Sequence, residues 1–204
     1  MFELGIRVSK MALEQARKEE EHHPMAVGKR SRKPPASTLK RIRLFATDVD
    51  GVLTDAGMYY SESGEEMKKF NTRDGMGIKL LQRAGIITAI VTQERTKLVA
   101  WRGEKLMIPE VHQGVMDKLA LVREMTARHG LSLNQVAYIG DDVNDVATLK
   151  AVGFSATPAD GMPQAVAAVD YVCVKKGGEG AVREIIEMIL EAQHKSVDAI
   201  RGKG

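Results

Sequence analysis

The chain has 204 residues, of which 44% are hydrophobic and 28% charged, and this composition fits one globular domain with a short extension. It contains no run of about 18 apolar residues, which a membrane span requires, and no apolar core of a secretory signal at its start. The single cysteine, Cys173, cannot form an internal disulfide. These features predict a cytoplasmic protein without a membrane partner.

The positive charge is concentrated at the start of the chain. The formal net charge is +3, and residues 1–40 hold nine Lys and Arg against five Glu, so the remaining chain is close to neutral. We predict a flexible basic leader over residues 1–40, with a short polar helix within 1–22, followed by one domain over 41–204. Because the basic excess lies in the leader, nucleic-acid binding is not predicted.

From Arg41 onward, short apolar runs rich in β-branched residues alternate with helical stretches. The predicted strands are 42–47, 86–92, 136–139, 154–156 and 171–174. The predicted helices lie near 75–84, 95–106, 117–129, 144–152, 162–168 and 180–193. Gly85, Gly130 and Gly153 follow three of them, where a left-handed residue commonly ends a helix. This alternation predicts a three-layer α/β fold, a doubly wound parallel sheet with helices on both faces.

One segment departs from the alternation. Residues 58–60 and 66–70 flank a polar turn at 61–65, which predicts a β-hairpin inserted after the first strand.

Carboxylates and other polar side chains gather where the predicted strands end. Asp48 and Asp50 follow the first strand, Thr92 ends the second, and Asp141, Asp142 and Asp145 follow the third, while Lys118 begins a helix. The carboxyl ends of parallel strands meet at one edge of a sheet, which is where ligands bind in such folds. Clustered carboxylates need a cation, and oxygen ligands suit Mg²⁺. A lysine and a threonine hydroxyl beside them suit a phosphate group.

In order and spacing, these residues resemble the four motifs of the haloacid dehalogenase phosphatases. The motifs are Asp48–Thr54, Thr92, Lys118 and Gly140–Asp145. The resemblance implies that Asp48 attacks phosphorus and that Asp50 acts as general acid and then general base. It also implies an Mg²⁺ cofactor bound by Asp48, the Asp50 carbonyl and Asp141, with Thr92 and Lys118 on the phosphoryl oxygens. Asp142 and Asp145 would support the site.

The chain has no room for a cap domain, because a hairpin, one helix and one strand fill the interval between Asp48 and Thr92. In this it resembles the capless phosphatases that make 3-deoxy-ulosonic acids, over residues 41 to about 193. The matching stretches are Lys69–Gly75, Val136–Asp142 and Gly177–Glu184. The resemblance implies a sugar phosphate substrate and a homo-oligomer, a tetramer, in which a neighbouring subunit covers the site through the hairpin.

The resemblance also implies a set of substrate-binding residues: Asn71, Thr72, Arg73, Asp74, Gly75, Lys79, Glu94, Arg102 and Lys105. The trio of Glu94, Arg102 and Lys105 is similar to the branch that cleaves nonulosonate 9-phosphates. We therefore predict a nine-carbon substrate, with 3-deoxy-D-manno-octulosonate 8-phosphate as the alternative. Gln93 departs from the family, which usually has glycine there.

The loop at Gly177–Gly180 has two open interpretations, closure over the substrate or a turn before the last helix. A third hypothesis for the function is a non-catalytic scaffold or a regulatory partner of a nucleotide-sugar synthetase. The intact set of motif residues weighs against that hypothesis.

Overall fold

The computed structural model of the chain describes residues 33–62 and 66–195. The strands are β1 (Leu44–Thr47), β2 (Tyr59–Tyr60), β3 (Glu66–Met67), β4 (Ile87–Val91), β5 (Glu110–His112), β6 (Val136–Ile139), β7 (Phe154–Thr157) and β8 (Tyr171–Val172). The helices are α1 (Ala36–Lys40), α2 (Thr72–Arg83), α3 (Lys97–Leu106), α4 (Lys118–Arg128), α5 (Val146–Ala151), α6 (Pro163–Ala168) and α7 (Ala181–Ala192). Leu133–Gln135 and Val143–Asp145 form 3₁₀ turns.

In the described part of the chain, six strands pair in parallel in the order β5-β4-β1-β6-β7-β8. The central strand β1 is buried on both faces because its side chains alternate between two apolar layers. Phe45 packs in the layer that contains residues of α1, α2, α3 and α7, whereas Leu44 and Ala46 pack in the layer of α4, α5 and α6. The predicted three-layer doubly wound fold is therefore confirmed.

The order of the sheet sets the position of the site. The chain leaves β1 toward β4 on one side and later returns to β6 on the other, so the connections diverge at the carboxyl end of β1. Such a switch point leaves a crevice between the loops that follow the strands. Asp48 comes directly after β1, and Asp141 comes two residues after β6.

The predicted hairpin is also confirmed. Tyr59 pairs with Met67 in an antiparallel ladder, and Thr54 and Phe70 form an antiparallel bridge at its base. The turn residues 63–65 lie outside the described part. Tyr59 is 54% exposed, Tyr60 66% and Met67 64%, so the hairpin carries apolar side chains on its surface.

Three features of the fold differ from the predictions. The strand β5 was not predicted, because it is only three residues long and half-buried at the edge of the sheet. A short helix, α1, lies within the residues predicted as a flexible leader and buries Leu39 in the core, and the extent of the leader stays a prediction. The polar helix predicted within 1–22 lies outside the described residues.

The third difference concerns Gly153. Gly85 and Gly130 adopt the predicted left-handed conformation, with φ of 77° and 64°, but Gly153 is not among the residues with positive φ. A Cβ at Gly153 would lie 2.1 Å from the Asn134 carbonyl oxygen, so this glycine is explained by close backbone packing. Among the residues described, no helix is long and apolar enough to cross a membrane.

Candidate active site

Asp48 sits at the end of the central strand with both carboxylate oxygens engaged. Its backbone N–H donates to the Ile139 carbonyl at 3.0 Å, which continues the pairing of β1 with β6. Its Oδ1 accepts from the Val49 N–H at 2.7 Å, and its Oδ2 accepts from the Lys118 ammonium at 2.7 Å. The residue is only 5% exposed. The structure thus holds this carboxylate in one orientation at the mouth of the crevice.

Lys118 joins two carboxylates that follow different strands. Its Nζ donates to Asp48 Oδ2 and to Asp145 Oδ1, both at 2.7 Å, and its side chain is 1% exposed. The Tyr138 hydroxyl also donates to Asp145 Oδ1, at 2.6 Å. The other oxygen, Asp145 Oδ2, accepts from the N–H groups of Asp141 and Asp142. Asp145 therefore accepts four hydrogen bonds, which fix it as a support for Lys118.

The charges in this cluster are not balanced by protein groups alone. Burial, together with the charge of Asp145, raises the pKa of Asp48 to about 7. Burial and the charges of Asp48 and Asp145 raise the pKa of Asp141 to about 8. Burial lowers the pKa of Lys118, but the two carboxylates outweigh it and raise that pKa above its usual value. One ammonium thus faces three carboxylates, so the site favours a further cation.

The donor atoms fit a hard divalent cation. Carboxylate oxygens of Asp48, Asp141 and Asp145 lie within 4.8 Å of one another, the only such group of His, Cys, Asp or Glu within residues 33–62 and 66–195. Because Asp145 is saturated by hydrogen bonds, Asp48 and Asp141 have the freer lone pairs. A Cβ at Gly51 would lie 2.0 Å from Asp141 Oδ2, so glycine is required for this approach of the two loops. An all-oxygen set of this kind suits Mg²⁺.

Asp50 contacts a residue that sequence reasoning missed. The Lys68 ammonium lies 2.6 Å from Asp50 Oδ1, and the Lys68 side chain is fully buried. Asp50 Oδ2 is buried, and no group in the described part of the chain hydrogen bonds to it. Lys68 comes from the return strand of the hairpin, directly after β3, so the insertion delivers a cation to the site.

Thr92 follows β4 and is 1% exposed. Its backbone joins two neighbouring segments, since its N–H donates to the His112 carbonyl and its carbonyl accepts from the Val115 N–H, both at 3.0 Å. The next residue, Gln93, accepts a hydrogen bond from the Asn144 amide at 3.2 Å. The residue that departs from the family pattern therefore links the loops after β4 and β6.

The start of α2 is tied to the glycine loop before α7. Asn71 caps α2 by accepting from the Arg73 N–H, and its amide donates to the Gly178 carbonyl at 3.1 Å. The Gly178 N–H donates to the Val52 carbonyl at 3.0 Å, and a Cβ there would lie 2.6 Å from the Asp55 nitrogen. The glycine loop therefore packs on the loop after Asp48, where no side chain would fit. This favours the turn interpretation of that loop.

Two predicted substrate-binding residues have other partners. Asp74 is fully buried and accepts from the Arg183 N–H at 2.7 Å; burial raises its pKa to about 6. This placement argues against substrate contact and gives Asp74 a role in holding the start of α7. Gly75 is buried too, and a Cβ there would lie 2.6 Å from the Arg102 guanidinium.

Arg102 is packed against its own chain. Its guanidinium donates to the Asn71 carbonyl at 2.8 Å and lies 5.3 Å from the Phe70 ring centre, while its buried Nε has no hydrogen-bond partner in the described part. The other predicted contacts are accessible: Thr72, Arg73, Glu94 and Lys105 are exposed, Lys79 is half-buried, and Asn71 is also half-buried. Their roles in substrate binding stay predictions.

Comparisons with known proteins agree with this geometry. A family model of haloacid dehalogenase-like hydrolases matches residues 85–186. The chain is 45% identical over 154 residues to the 3-deoxy-D-manno-octulosonate 8-phosphate phosphatase KdsC of Yersinia pestis, covering 76% of this chain and 82% of that protein. It is 40% identical over 164 residues to the protein of the same name from Escherichia coli K12, covering 80% and 87%.

A solved structure is similar to the chain at a comparable level of sequence identity. The 3-deoxy-D-manno-octulosonate 8-phosphate phosphatase from Moraxella catarrhalis, in complex with a magnesium ion, a phosphate ion and a KDO molecule, superposes with a TM-score of 0.79 at 40% identity. The match covers 82% of this chain and 95% of that one.

The fold and the aspartate–lysine site define a haloacid dehalogenase-like hydrolase. More narrowly, the chain belongs to the family that contains these octulosonate phosphate phosphatases, and it is a phosphoric monoester hydrolase. The scaffold hypothesis is thereby set aside. The Yersinia, Escherichia and Moraxella proteins all carry the eight-carbon name, so they match the alternative substrate predicted from the sequence and not the nine-carbon preference.

Proposed function

We propose that this protein hydrolyses 3-deoxy-D-manno-octulosonate 8-phosphate to the free sugar acid and inorganic phosphate, using Mg²⁺. The observation that carries the choice of sugar is the 45% identity to a phosphatase of that name. The buried Asp48–Lys118–Asp145 network supports the reaction class, because it holds a carboxylate and a cation where a phosphoryl group would be transferred.

In the first half of the reaction, a carboxylate oxygen of Asp48 bonds to phosphorus as the bond from phosphorus to the sugar oxygen breaks. Asp50 donates its proton to that leaving oxygen. In the second half, Asp50 takes a proton from water as the water oxygen attacks phosphorus and releases Asp48. Asp50 thus regains the proton it gave up. Lys118 and Thr92 would hold the phosphoryl oxygens throughout.

The Mg²⁺ would be held by Asp48, Asp141 and the backbone carbonyl of Asp50. When bound, it neutralises the charge of the carboxylates and of the phosphoryl group. Asp142 and Asp145 would support this arrangement, Asp142 by capping the 3₁₀ turn after β6 through the Val143 N–H. Asp145 would keep Lys118 in place.

Substrate recognition and assembly complete the proposal. The exposed residues Thr72, Arg73, Glu94 and Lys105 are the candidates for contacts with the sugar, along with Asn71, Lys79 and Arg102. Because the site has no cap domain, we expect an oligomer, a tetramer by resemblance, in which a neighbouring subunit packs on the exposed apolar hairpin. The cytoplasmic location stays a prediction.

A second candidate substrate is the nonulosonate 9-phosphate. It is favoured by the occurrence of Glu94, Arg102 and Lys105 together. The engagement of Arg102 with the Asn71 carbonyl weakens this assignment, because that guanidinium is already part of the helix packing.

The test is phosphate release from both ulosonate phosphates and from a hexose phosphate, with Mg²⁺ and with excess chelator. We expect the highest kcat/KM with the octulosonate ester, no release with chelator, and none from the Asp48→Asn variant. A higher kcat/KM for the nine-carbon ester, lost in a Glu94→Ala, Lys105→Ala variant, would favour the second candidate. Absence of release from every ester would contradict the proposed function.

A further inference from the structure

We infer that Lys68, a residue of the hairpin insertion, is a positioning residue for Asp50. Its ammonium holds Asp50 Oδ1, so that Oδ2 is the oxygen that exchanges the proton with the leaving group. This inference rests on the proposed function, because it concerns the acid and base step of that reaction.

The contact between the two side chains is short and enclosed. Lys68 Nζ lies 2.6 Å from Asp50 Oδ1, the Lys68 side chain is 0% exposed, and the Asp50 side chain is 27% exposed. A lysine with a fully covered stem cannot sample other rotamers freely, so it fixes the carboxyl group that it binds. The neighbouring Lys69 is different: its side chain is 58% exposed and pairs with Asp55 at the surface.

The second carboxylate oxygen of Asp50 has no hydrogen-bond partner among the described residues and is therefore available to a substrate. Asp50 Oδ2 is buried and accepts no hydrogen bond from any group in the described part of the chain. A buried acceptor without a partner costs about 1–3 kcal/mol, so such atoms call for an explanation. In the acid form of Asp50, Oδ2–H would donate a hydrogen bond to the ester oxygen of a bound phosphate monoester, and this ester oxygen would be the missing partner.

The two oxygens of the Asp50 carboxyl group have different roles: Oδ1 binds Lys68, and Oδ2 exchanges the proton. Because Oδ1 accepts the hydrogen bond from Lys68, the proton of the acid form resides on Oδ2. From there it moves to the sugar oxygen as the bond to phosphorus breaks, and a proton from the attacking water returns to the same atom. The hairpin base, where Thr54 pairs with Phe70, connects Lys68 to the loop that carries Asp50.

The experiment compares kcat/KM of the wild type and a Lys68→Met variant for two substrates, in saturating Mg²⁺. A sugar phosphate has a poor leaving group that needs the proton, whereas 4-nitrophenyl phosphate has a good leaving group that does not. General acid catalysis contributes about 10²–10⁴-fold, so K68M is expected to lose about 10-fold or more with the sugar phosphate. With 4-nitrophenyl phosphate the loss is expected to stay within about 3-fold. The matched control, Lys69→Met, is expected to change neither value.

A double-mutant cycle tests whether Lys68 acts through Asp50. In an Asp50→Asn background, the K68M substitution is expected to cause no further loss with the sugar phosphate, and the unfolding free energies of the two single variants are expected to be non-additive. Lys68→Arg, which keeps a cationic donor, is expected to recover part of the activity with the sugar phosphate. Lys68→Arg is also the variant to measure if K68M does not fold.

Three results would overturn the inference: an equal loss with both substrates, a loss that persists in the D50N background, or no loss at all. An equal loss would indicate that Lys68 binds phosphate directly or only supports the fold. Failure of the proposed function has a different signature, since the wild type would then release phosphate from another ester but not from the octulosonate ester. In that case the comparison is made with the ester that is cleaved.

Discussion

Removing the Lys118 ammonium should expose how strongly the three carboxylates of the site repel one another. In a Lys118→Met variant the side chain keeps similar bulk but loses both ion pairs, each 2.7 Å long in the wild type. Asp48 and Asp145 then remain buried, at 7% and 0% exposure of their side chains, without the cation between them. Asp145 retains the Tyr138 hydroxyl and two backbone donors, so Asp48 is the residue left with fewer hydrogen-bond donors.

The expected cost is large. Breaking a buried ion pair by removing one partner costs about 3–5 kcal/mol. For a chain of this size, 1 kcal/mol shifts the melting temperature by about 2–4 °C, so K118M should melt about 6–20 °C below the wild type in excess chelator. Mg²⁺ should recover part of this loss, because a cation that binds only the folded state stabilises it. Phosphate release should fall by about 10²-fold or more, since a charge that stabilises the transferring group is gone.

The assay is thermal unfolding followed by circular dichroism, in chelator and across a series of Mg²⁺ concentrations. The matched control is Lys150→Met, which removes an exposed lysine from α5 and should leave the melting temperature nearly unchanged. If K118M in chelator melts within about 2 °C of the wild type, the reasoning about buried charge is refuted. A Mg²⁺ response no larger than that of the wild type would refute the assignment of the cation to this carboxylate cluster.

Two further predictions follow from polar contacts within the domain. Tyr138→Phe removes the hydrogen bond to Asp145 and should cost about 1.5–3 kcal/mol in urea unfolding, with a loss in kcat larger than the change in KM; an unchanged kcat would contradict the supporting role of Tyr138. Burial raises the pKa of Glu110, but hydrogen bonds from His129 and His112 outweigh it, so that pKa lies below its usual value of 4.5. A group with a lowered folded pKa stabilises the protein above its unfolded pKa, so Glu110→Gln should cost about 1 kcal/mol at pH 7. This difference should shrink as the pH falls from the usual carboxyl pKa through the lowered pKa of the folded state. A difference that stays constant from pH 7 to pH 3 would contradict this account.

The fold and the central motif residues were predictable because each one sits at a boundary of an element. Asp48, Thr92 and Asp141 all follow apolar strands, and the carboxyl ends of parallel strands share one edge of the sheet. The order of the chain alone therefore brings these residues together. Lys118 could be predicted in the same way, because it begins a helix at the same edge of the sheet.

Lys68 and Tyr138 were not predictable in the same way. Lys68 is 18 residues from Asp50, and the contact depends on how the hairpin folds back over the loop after β1. The sequence Lys68-Lys69 gives no sign of which lysine is buried. Tyr138 lies in an apolar strand, where its ring accounts for its presence, and its hydroxyl meets Asp145 only because the 3₁₀ turn at 143–145 turns back toward the strand.

The nine-carbon prediction rests on the resemblance of Glu94, Arg102 and Lys105 to one branch of the family, and the structure gives Arg102 and Lys105 different surroundings. The spacing of Arg102 and Lys105 places them on one face of α3, but it does not say what that face meets. In the structure Arg102 reaches the start of α2 and donates to the Asn71 carbonyl, whereas Lys105 is exposed. Residues that share a helix face can thus have different partners. A substrate assignment built on such a trio needs the packing of the neighbouring helix, which spacing alone does not give.

The hairpin connects the proposed subunit contact with the positioning of Asp50. Its outer side chains, Tyr59 and Tyr60, are exposed, and its return strand carries the buried Lys68 to Asp50. If a neighbouring subunit packs on the tyrosines, as proposed, the same contact would also steady the strand that carries Lys68. A variant that weakens assembly, such as Tyr60→Ser, would then lower kcat/KM for esters with poor leaving groups more than for esters with good leaving groups. The insertion would therefore make the acid and base step dependent on assembly, although the catalytic carboxylates themselves come from the sheet.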